Sequence, residues 1–442
     1  MALPRPAVSR PARVARGESF RLYVRGRSIR VWGLRPPRSG LLGWLGVLGP
    51  GLIASTAGDD AGGVATYSQA GARYGYELLW ALLIVTISLA VIQETCARLG
   101  AATGRGLLDL IRERFGIGWT LLAIVVVLVA NSGVMVTEFA GIGAAAELFR
   151  VPRLLAVPLS AVLLWAFVTR GNYSEVEKIF LLMTLVFFAY PVAAIVAGPA
   201  WGDVLRGALV PTLRPDPAYL SVLVALIGTT VTPYMQLFQQ SSVVEKAVAR
   251  RHYGPERADA YFGAVFSNLI SAFIIIAAGA TLHAAGTSDI QTAADAARAL
   301  EPAAGRGAQA LFAIGLLGAS LLAAGVLPLA TAYSVSEAFG FRKGVNLDVR
   351  RAPIFVGVFS ALIVIGAIVA LIPNLPLISL LLAIQVLNGG LLPVLLVFIL
   401  LLARDARLMR ELRNTRLQDV LGWATVALVG SAVLVLFGTQ LV

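Results

Sequence analysis

The sequence is poor in charge, in cysteine and in histidine, and each shortage closes off a class of protein. Only 14% of the 442 residues are Asp, Glu, Lys or Arg, against about 25% in an ordinary soluble domain. With 58% of the residues hydrophobic, a water-soluble fold could not cover its apolar surface with so few charges. A soluble globular protein, a disordered chain and a disulfide scaffold are thereby excluded. The single cysteine, Cys96, rules out a disulfide within the chain and any cysteine metal cluster. His252 and His283 are the only histidines, too few for a His-rich metal site. No Gly-x-x-x-x-Gly-Lys-Ser/Thr stretch is present, so ATP does not drive this chain directly. Nor is there a His-Glu-x-x-His or a Gly-x-Ser-x-Gly for an intramembrane hydrolase, and neither an enzyme nor a bound cofactor is expected.

Positive charge is abundant, but its placement decides its meaning. A formal net charge of +12 would suggest nucleic acid as partner in a soluble protein. Here residues 1–40 carry ten Arg and one Glu, interspersed with Pro and without a long apolar run. Such a segment is no signal peptide; it reads as a disordered cytoplasmic arm suited to anionic lipid, not to nucleic acid.

Long apolar runs are the dominant feature. A bilayer core needs about 20 apolar residues per helix, and eleven such stretches follow: 41–72, 76–98, 118–148, 154–170, 178–200, 218–244, 258–282, 307–337, 352–373, 376–403 and 418–440. A short amphipathic piece, Gly106 to Phe115, is too charged to span. With this count, 29 Lys and Arg fall on the side of the N-terminus and 7 on the other. The positive-inside rule then puts the N-terminus in the cytoplasm and the C-terminus outside, as in a bacterial inner-membrane protein.

Two of the stretches are poor plain helices. The first contains Ala54-Ser55-Thr56-Ala57-Gly58-Asp59-Asp60-Ala61-Gly62-Gly63, and the sixth contains Gly228-Thr229-Thr230-Val231-Thr232-Pro233-Tyr234. Gly costs a helix interior about 1 kcal/mol and Pro about 3 kcal/mol, so both segments should unwind. Stretches five apart are offset by 177 to 198 residues, which predicts two five-helix repeats, 41–200 and 218–403, and an extra helix after the loop that starts at 404. Five is odd, so the second repeat is inverted. Inverted repeats with broken first helices are the plan of secondary transporters, whose site lies at the midplane.

At that midplane stand Asp59 and Asp60. An Asp at a helix centre costs about 2.5–3.5 kcal/mol on insertion scales, so such residues mark ion or proton pathways. An oxygen-lined pocket with freed backbone carbonyls suits a hard cation. Thr229 and Thr232 offer hydroxyls at the second break, and Tyr234, Gln236, Gln239 and Gln240 extend an unusually polar face. Asn131 and Glu138 in the third stretch and Gln385 and Asn388 in the tenth are further polar groups at mid-membrane. Glu94, next to Gln93 near the inner end of the second stretch, can reach the interface and reads as structural or gating.

The order of these motifs resembles the Nramp divalent-metal transporters. The likeness runs from Gly49-Pro50-Gly51 through Asp60-Ala61-Gly62-Gly63 and Gln69-Ala70-Gly71-Ala72-Arg73-Tyr74-Gly75-Tyr76. It continues at Ala102-Thr103-Gly104-Arg105, Glu138-Phe139, Gly228 to Pro233 and Gln385-Val386. The resemblance implies an all-α polytopic fold of the LeuT type with helices 1 and 6 broken, acting as a monomer on divalent ions. The family's Asp-Pro-Gly-Asn reads Asp60-Ala61-Gly62-Gly63 here, and its Met-Pro-His reads Thr232-Pro233-Tyr234. A second family His is Gln239, and an Asp three residues before Glu138 is Met135. In these departures the chain resembles the Nramp-related magnesium transporters, which carry Mg²⁺ and Mn²⁺. The implied ligand set is Asp60, Asp59, Gly63, Ala57, Thr229, Thr232 and Gln385, with Glu138, Tyr234 and Gln239 along the pathway. Loss of the Asn and Met side chains is expected to widen the pocket for a partly hydrated ion. The alternatives are a proton-coupled Mn²⁺/Fe²⁺ symporter, a trivalent aluminium carrier, a membrane-embedded metalloenzyme and a channel.

Overall fold

A computed structural model of the chain describes residues 21–24, 27–30, 49–170, 188–248, 250, 253–301, 305–344, 350–373 and 376–440. Two units divide it, Met1–Val47 and Leu48–Val442. Within the first, Arg21–Val24 (β1) pairs antiparallel with Arg27–Arg30 (β2), with Leu22 opposite Ile29 and Tyr23 opposite Ser28. The rest of the basic arm expected over residues 1–40 lies outside the described residues.

In the second unit the chain forms α1 (Pro50–Thr56), α2 (Ala61–Tyr74), α3 (Leu79–Thr103), α4 (Leu107–Phe115), α5 (Ile117–Leu148), α6 (Arg153–Arg170), α7 (Ala189–Val196), α8 (Trp201–Leu209), α9 (Pro217–Thr230) and α10 (Pro233–Glu245). It continues with α11 (Tyr253–Ala278, prolonged by a wide turn over Gly279–His283), α12 (Ala293–Ala297), α13 (Ala308–Phe339), α14 (Pro353–Ala370), α15 (Leu377–Arg404), α16 (Ala406–Met409) and α17 (Arg416–Gln440). Among the described residues nine helices are long and apolar enough to cross a membrane, α9 and α10 counting as one. The first expected span is split into α1 and α2 and so is not one of the nine. Most of the fifth, 178–200, lies outside the described residues; α7 belongs to its second half.

Both expected breaks are present. After α1 the chain turns through Ala57, Gly58 and Asp59, and Asp60 is extended (φ −70°, ψ −177°) before α2 begins. After α9, Val231 leaves the helical region (φ −123°, ψ 68°), and Pro233 opens α10 at its first position. Proline suits that position because the missing N–H would be unpaired there anyway. Among the described residues a broken helix opens each half, α1 and α2 in the first and α9 and α10 in the second, as the repeat reading expects. Neither α8 nor α12, both short connectors, had a sequence signal as a span.

Burial sorts the helices. The residues of α1, α2, α9 and α10 are almost all buried, which makes the broken helices the centre of the bundle. In α6, by contrast, Leu154, Leu155, Leu159, Val162 and Leu163 are exposed, an apolar face of the kind that lipid covers in a membrane protein. The short α1 is held against α11 by backbone approach. A Cβ on Gly51 would meet the backbone of Asp259 and Ala260, and one on Gly263 would meet the backbone of Gly51. Small residues at such crossings let membrane helices close to van der Waals contact.

Candidate metal-transport site

Asp60 is the residue on which the first break turns. As the N-cap of α2 it accepts the Gly63 N–H at 2.6 Å through Oδ1, and the positive end of that helix favours its charge. From the second break, Tyr234 donates its hydroxyl to the Ala57 carbonyl at 2.5 Å and lies 3.3 Å from Asp60 Oδ2. From α15, Gln385 Nε2 donates to Asp60 Oδ1 at 3.3 Å, and Asn388 Nδ2 holds the Gln385 carbonyl oxygen at 2.9 Å. Glu138 of α5 accepts the Ala61 N–H at 3.2 Å through Oε2. One helix terminus is thus flanked by two carboxylates, with donors from both breaks and α15. All of Asp60, Glu138, Tyr234, Thr229 and Gln385 are fully buried.

The remaining expected ligands divide. Thr229 reaches the site, donating to the Gly58 carbonyl at 3.4 Å. Ala57 contributes its carbonyl, which the Tyr234 hydroxyl occupies. At Gly63 the expected widening does not occur in this arrangement. A Cβ there would lie 2.6 Å from the Gly58 carbonyl oxygen and 3.0 Å from Thr229 Oγ1, so backbone and hydroxyl have filled the room an Asn side chain would take. Thr232 stands at the N-cap of α10, but its buried hydroxyl caps nothing. Asp59 turns away from Asp60: its two carboxylate oxygens accept from Ser267 (2.9 Å) and Ser271 (2.6 Å) of α11.

From Thr232 toward the Lys246 end of α10 runs a line of buried amides. Gln236 and Gln239 are both buried, and neither amide oxygen nor nitrogen of either has a hydrogen-bond partner. Positions 232, 236 and 239 share one helix face. A buried polar group without a partner costs about 1–3 kcal/mol, and two adjacent amides so exposed to that cost fit a path that carries water. Gln93 of α3 adds an unpaired Nε2 while its oxygen accepts from Ser55 at 2.6 Å.

Several contributors left no signature in the sequence. Asp259 of α11 caps α1 by accepting the amides of Gly49 (2.9 Å), Gly51 (2.6 Å) and Leu52 (3.3 Å). Glu94, read from the sequence as a structural or gating acid, is buried in an ion pair with Arg98 at 3.0 Å. Arg98 also donates to the Leu412 carbonyl and to Asn414, both at 2.6 Å, while Tyr253 and Gln418 donate to Glu94. Only the i, i+4 spacing of Ser267 and Ser271 offered a hint of a shared face. An apolar cavity of about 440 Å³, lined in part by Trp80, Leu213, Leu223, Ile227 and Val435, holds no carboxylate and is unsuited to an ion.

Among the described residues no three His, Cys, Asp or Glu converge. The groups at the breaks are oxygens of two carboxylates, hydroxyls, amides and main-chain carbonyls, with one buried sulfur, that of Met235, packed against Gly58. Residues 51–439 match the family model of natural resistance-associated macrophage protein-like proteins, Nramp. A divalent metal cation transporter, MntH, of Ralstonia nicotianae is 31% identical over 415 residues, 87% of this chain and 88% of that protein. A manganese transporter of Eremococcus coleocola superposes with a TM-score of 0.75 at 20% identity, over 91% of this chain and 87% of the other. MhsT, solved with L-phenylalanine, superposes with a TM-score of 0.58 at 14% identity, over 91% and 99%.

Proposed function

The chain belongs to the Nramp family, and from that premise we propose that it is a secondary transporter carrying Mg²⁺ and Mn²⁺, partly hydrated, by alternating access. The observation that carries this reading is the donor chemistry around Asp60. Sulfur and imidazole are absent where the family's soft ligands would stand, because those positions read Thr232 and Tyr234. Carboxylate, carbonyl and water suit Mg²⁺ and Mn²⁺, whereas thioether selects softer metals. Asp60 is the primary ligand, Gln385, Thr229 and the Ala57 and Gly58 carbonyls complete the shell, and Glu138 supplies negative potential beside it. Ion entry requires Tyr234 and Thr229 to release the two carbonyls they hold. The line of unpaired glutamines gives the hydrated ion a route from the site.

We place the protein in a bacterial inner membrane, N-terminus in the cytoplasm and C-terminus outside, on the distribution of Lys and Arg. The common Nramp reading, a proton-coupled Mn²⁺ or Fe²⁺ symporter, is favoured by one observation, the retention of Glu138 at the Asp60 helix terminus. Met135, Tyr234 and Gln239 weigh against it, since none exchanges protons near neutral pH. Uptake of Mg²⁺ and Mn²⁺ into proteoliposomes tests the reading. Asp60→Asn should abolish saturable uptake of both ions in protein that still purifies as a monodisperse species; uptake like the wild type in that variant would remove the site.

A further inference from the structure

The surroundings of Asp59 call for a charge that the rest of the site does not provide. Asp59, Asp60 and Glu138 are fully buried, and no Lys, Arg or His among the described residues forms an ion pair with any of them. A divalent ion at Asp60, beside Glu138, balances two of the three charges. Asp59 faces the other way and remains unbalanced, and burying an uncompensated carboxylate is costly.

The two hydroxyls that serve Asp59 also face main-chain carbonyls. Ser267 Oγ lies 2.9 Å from Asp59 Oδ2 and 2.8 Å from the Ser55 carbonyl oxygen. Ser271 Oγ lies 2.6 Å from Asp59 Oδ1 and 3.2 Å from the Ser267 carbonyl oxygen. Each hydroxyl has one proton and two acceptors, so when Asp59 takes the Ser267 proton the Ser55 carbonyl faces Ser267 Oγ without one, while Tyr67 stands as a further hydroxyl beside Ser271. Nearby, within the field of Asp59, the buried phenol oxygen of Tyr190 on α7 has no partner.

We infer that Asp59, Ser267, Ser271 and the Ser55 carbonyl form a second cation site, separate from the Asp60 pocket, and that its ligand is Na⁺. One carboxylate among neutral hydroxyl and carbonyl oxygens matches a single positive charge and a hard ion. The site joins the first break to α11, the helix against which α1 is packed. A bound sodium would therefore tie α1, the turn and α11 together at the moment the neighbouring Asp60 takes its divalent ion. The inference rests on the reading of Asp60 as the divalent site, and its test separates the two.

The test is binding of radioactive sodium to the purified full-length protein in detergent, with choline as the background salt. Wild-type protein should bind Na⁺ saturably, and K⁺ at equal concentration should not displace it. Ser267→Ala and Ser271→Ala should each weaken binding about tenfold, the loss of one oxygen ligand. Ser271→Thr, which keeps the hydroxyl, should retain it. Asp60→Asn, with Gln385→Ala as a second marker of the divalent pocket, should leave Na⁺ binding in place while Mg²⁺ uptake is lost. Absence of saturable sodium binding in the wild type overturns the inference. So does binding that survives both serine changes but disappears with Asp60→Asn or Gln385→Ala, which would put the sodium in the divalent pocket.

Discussion

Asp59 and Asp60 are chain neighbours with different surroundings because an extended residue between a turn and a helix sends their side chains to different partners. Asp60 faces Tyr234 and Gln385, and Asp59 faces two serines of α11. Both carboxylates were legible as candidates, since acids at mid-span are rare; their divergence was not, because it depends on the dihedral angles of the break. The serines were hidden for another reason: hydroxyls in membrane helices commonly bond back to their own backbone, and Ser271 does that too. At this scale the pocket's preference for hard ions is testable through Thr232. Thr232→Met places a polarizable sulfur on α10 and should raise Cd²⁺ competition against Mg²⁺ uptake several-fold; an unchanged order of competition would locate selectivity elsewhere. The unpaired amides make a second test. Gln236→Leu and Gln239→Leu remove water-binding groups, so Mg²⁺ uptake should fall several-fold more than Mn²⁺ uptake, because Mg²⁺ gives up water more reluctantly. An equal fall for both ions would indicate packing rather than passage.

Among elements, the helices that cross the membrane announced themselves by length and apolar content. The two that matter most announced themselves by violating those rules with Gly, Asp and Pro. Their partners did not, since contacts such as Asp259 on the first turn of α1 span about 210 residues of sequence. The ion pair of Glu94 and Arg98 is the clearest case. Alone, Glu94 reads as an interfacial acid; in the fold it shares Arg98 with the segment that leads into α17, through Leu412 and Asn414. Removing one partner of a buried pair leaves an uncompensated charge, at a cost of about 3–5 kcal/mol. Arg98→Met should therefore lower the thermal unfolding midpoint in detergent markedly, and Arg98→Met with Glu94→Leu should recover much of the loss. A double variant no better than the single one would mean that the link to α17, not the charge, holds this end together.

For the whole molecule, the question is what drives the ion. A proton relay needs successive titratable groups leading away from the site, and the positions where the family supplies them read Met135, Tyr234 and Gln239, leaving Glu138 beside Asp60 with no acid or His at those positions. The membrane potential suffices without protons: about 2.3 kcal/mol per charge per 100 mV gives about 4.6 kcal/mol for a divalent ion. A pH-sensitive dye inside proteoliposomes should therefore show no acidification coupled to Mg²⁺ or Mn²⁺ entry under a valinomycin-clamped potential. Acidification that tracks entry and disappears in Glu138→Ala would restore the symporter reading. The three buried carboxylates that lack a basic partner carry one more consequence. When they are ionised, the empty carrier is the charged form and the loaded carrier the nearly neutral one. Voltage then acts chiefly on the return stroke: an inside-negative membrane pushes the vacated negative centre back toward the outer face and resets the machine for its next ion.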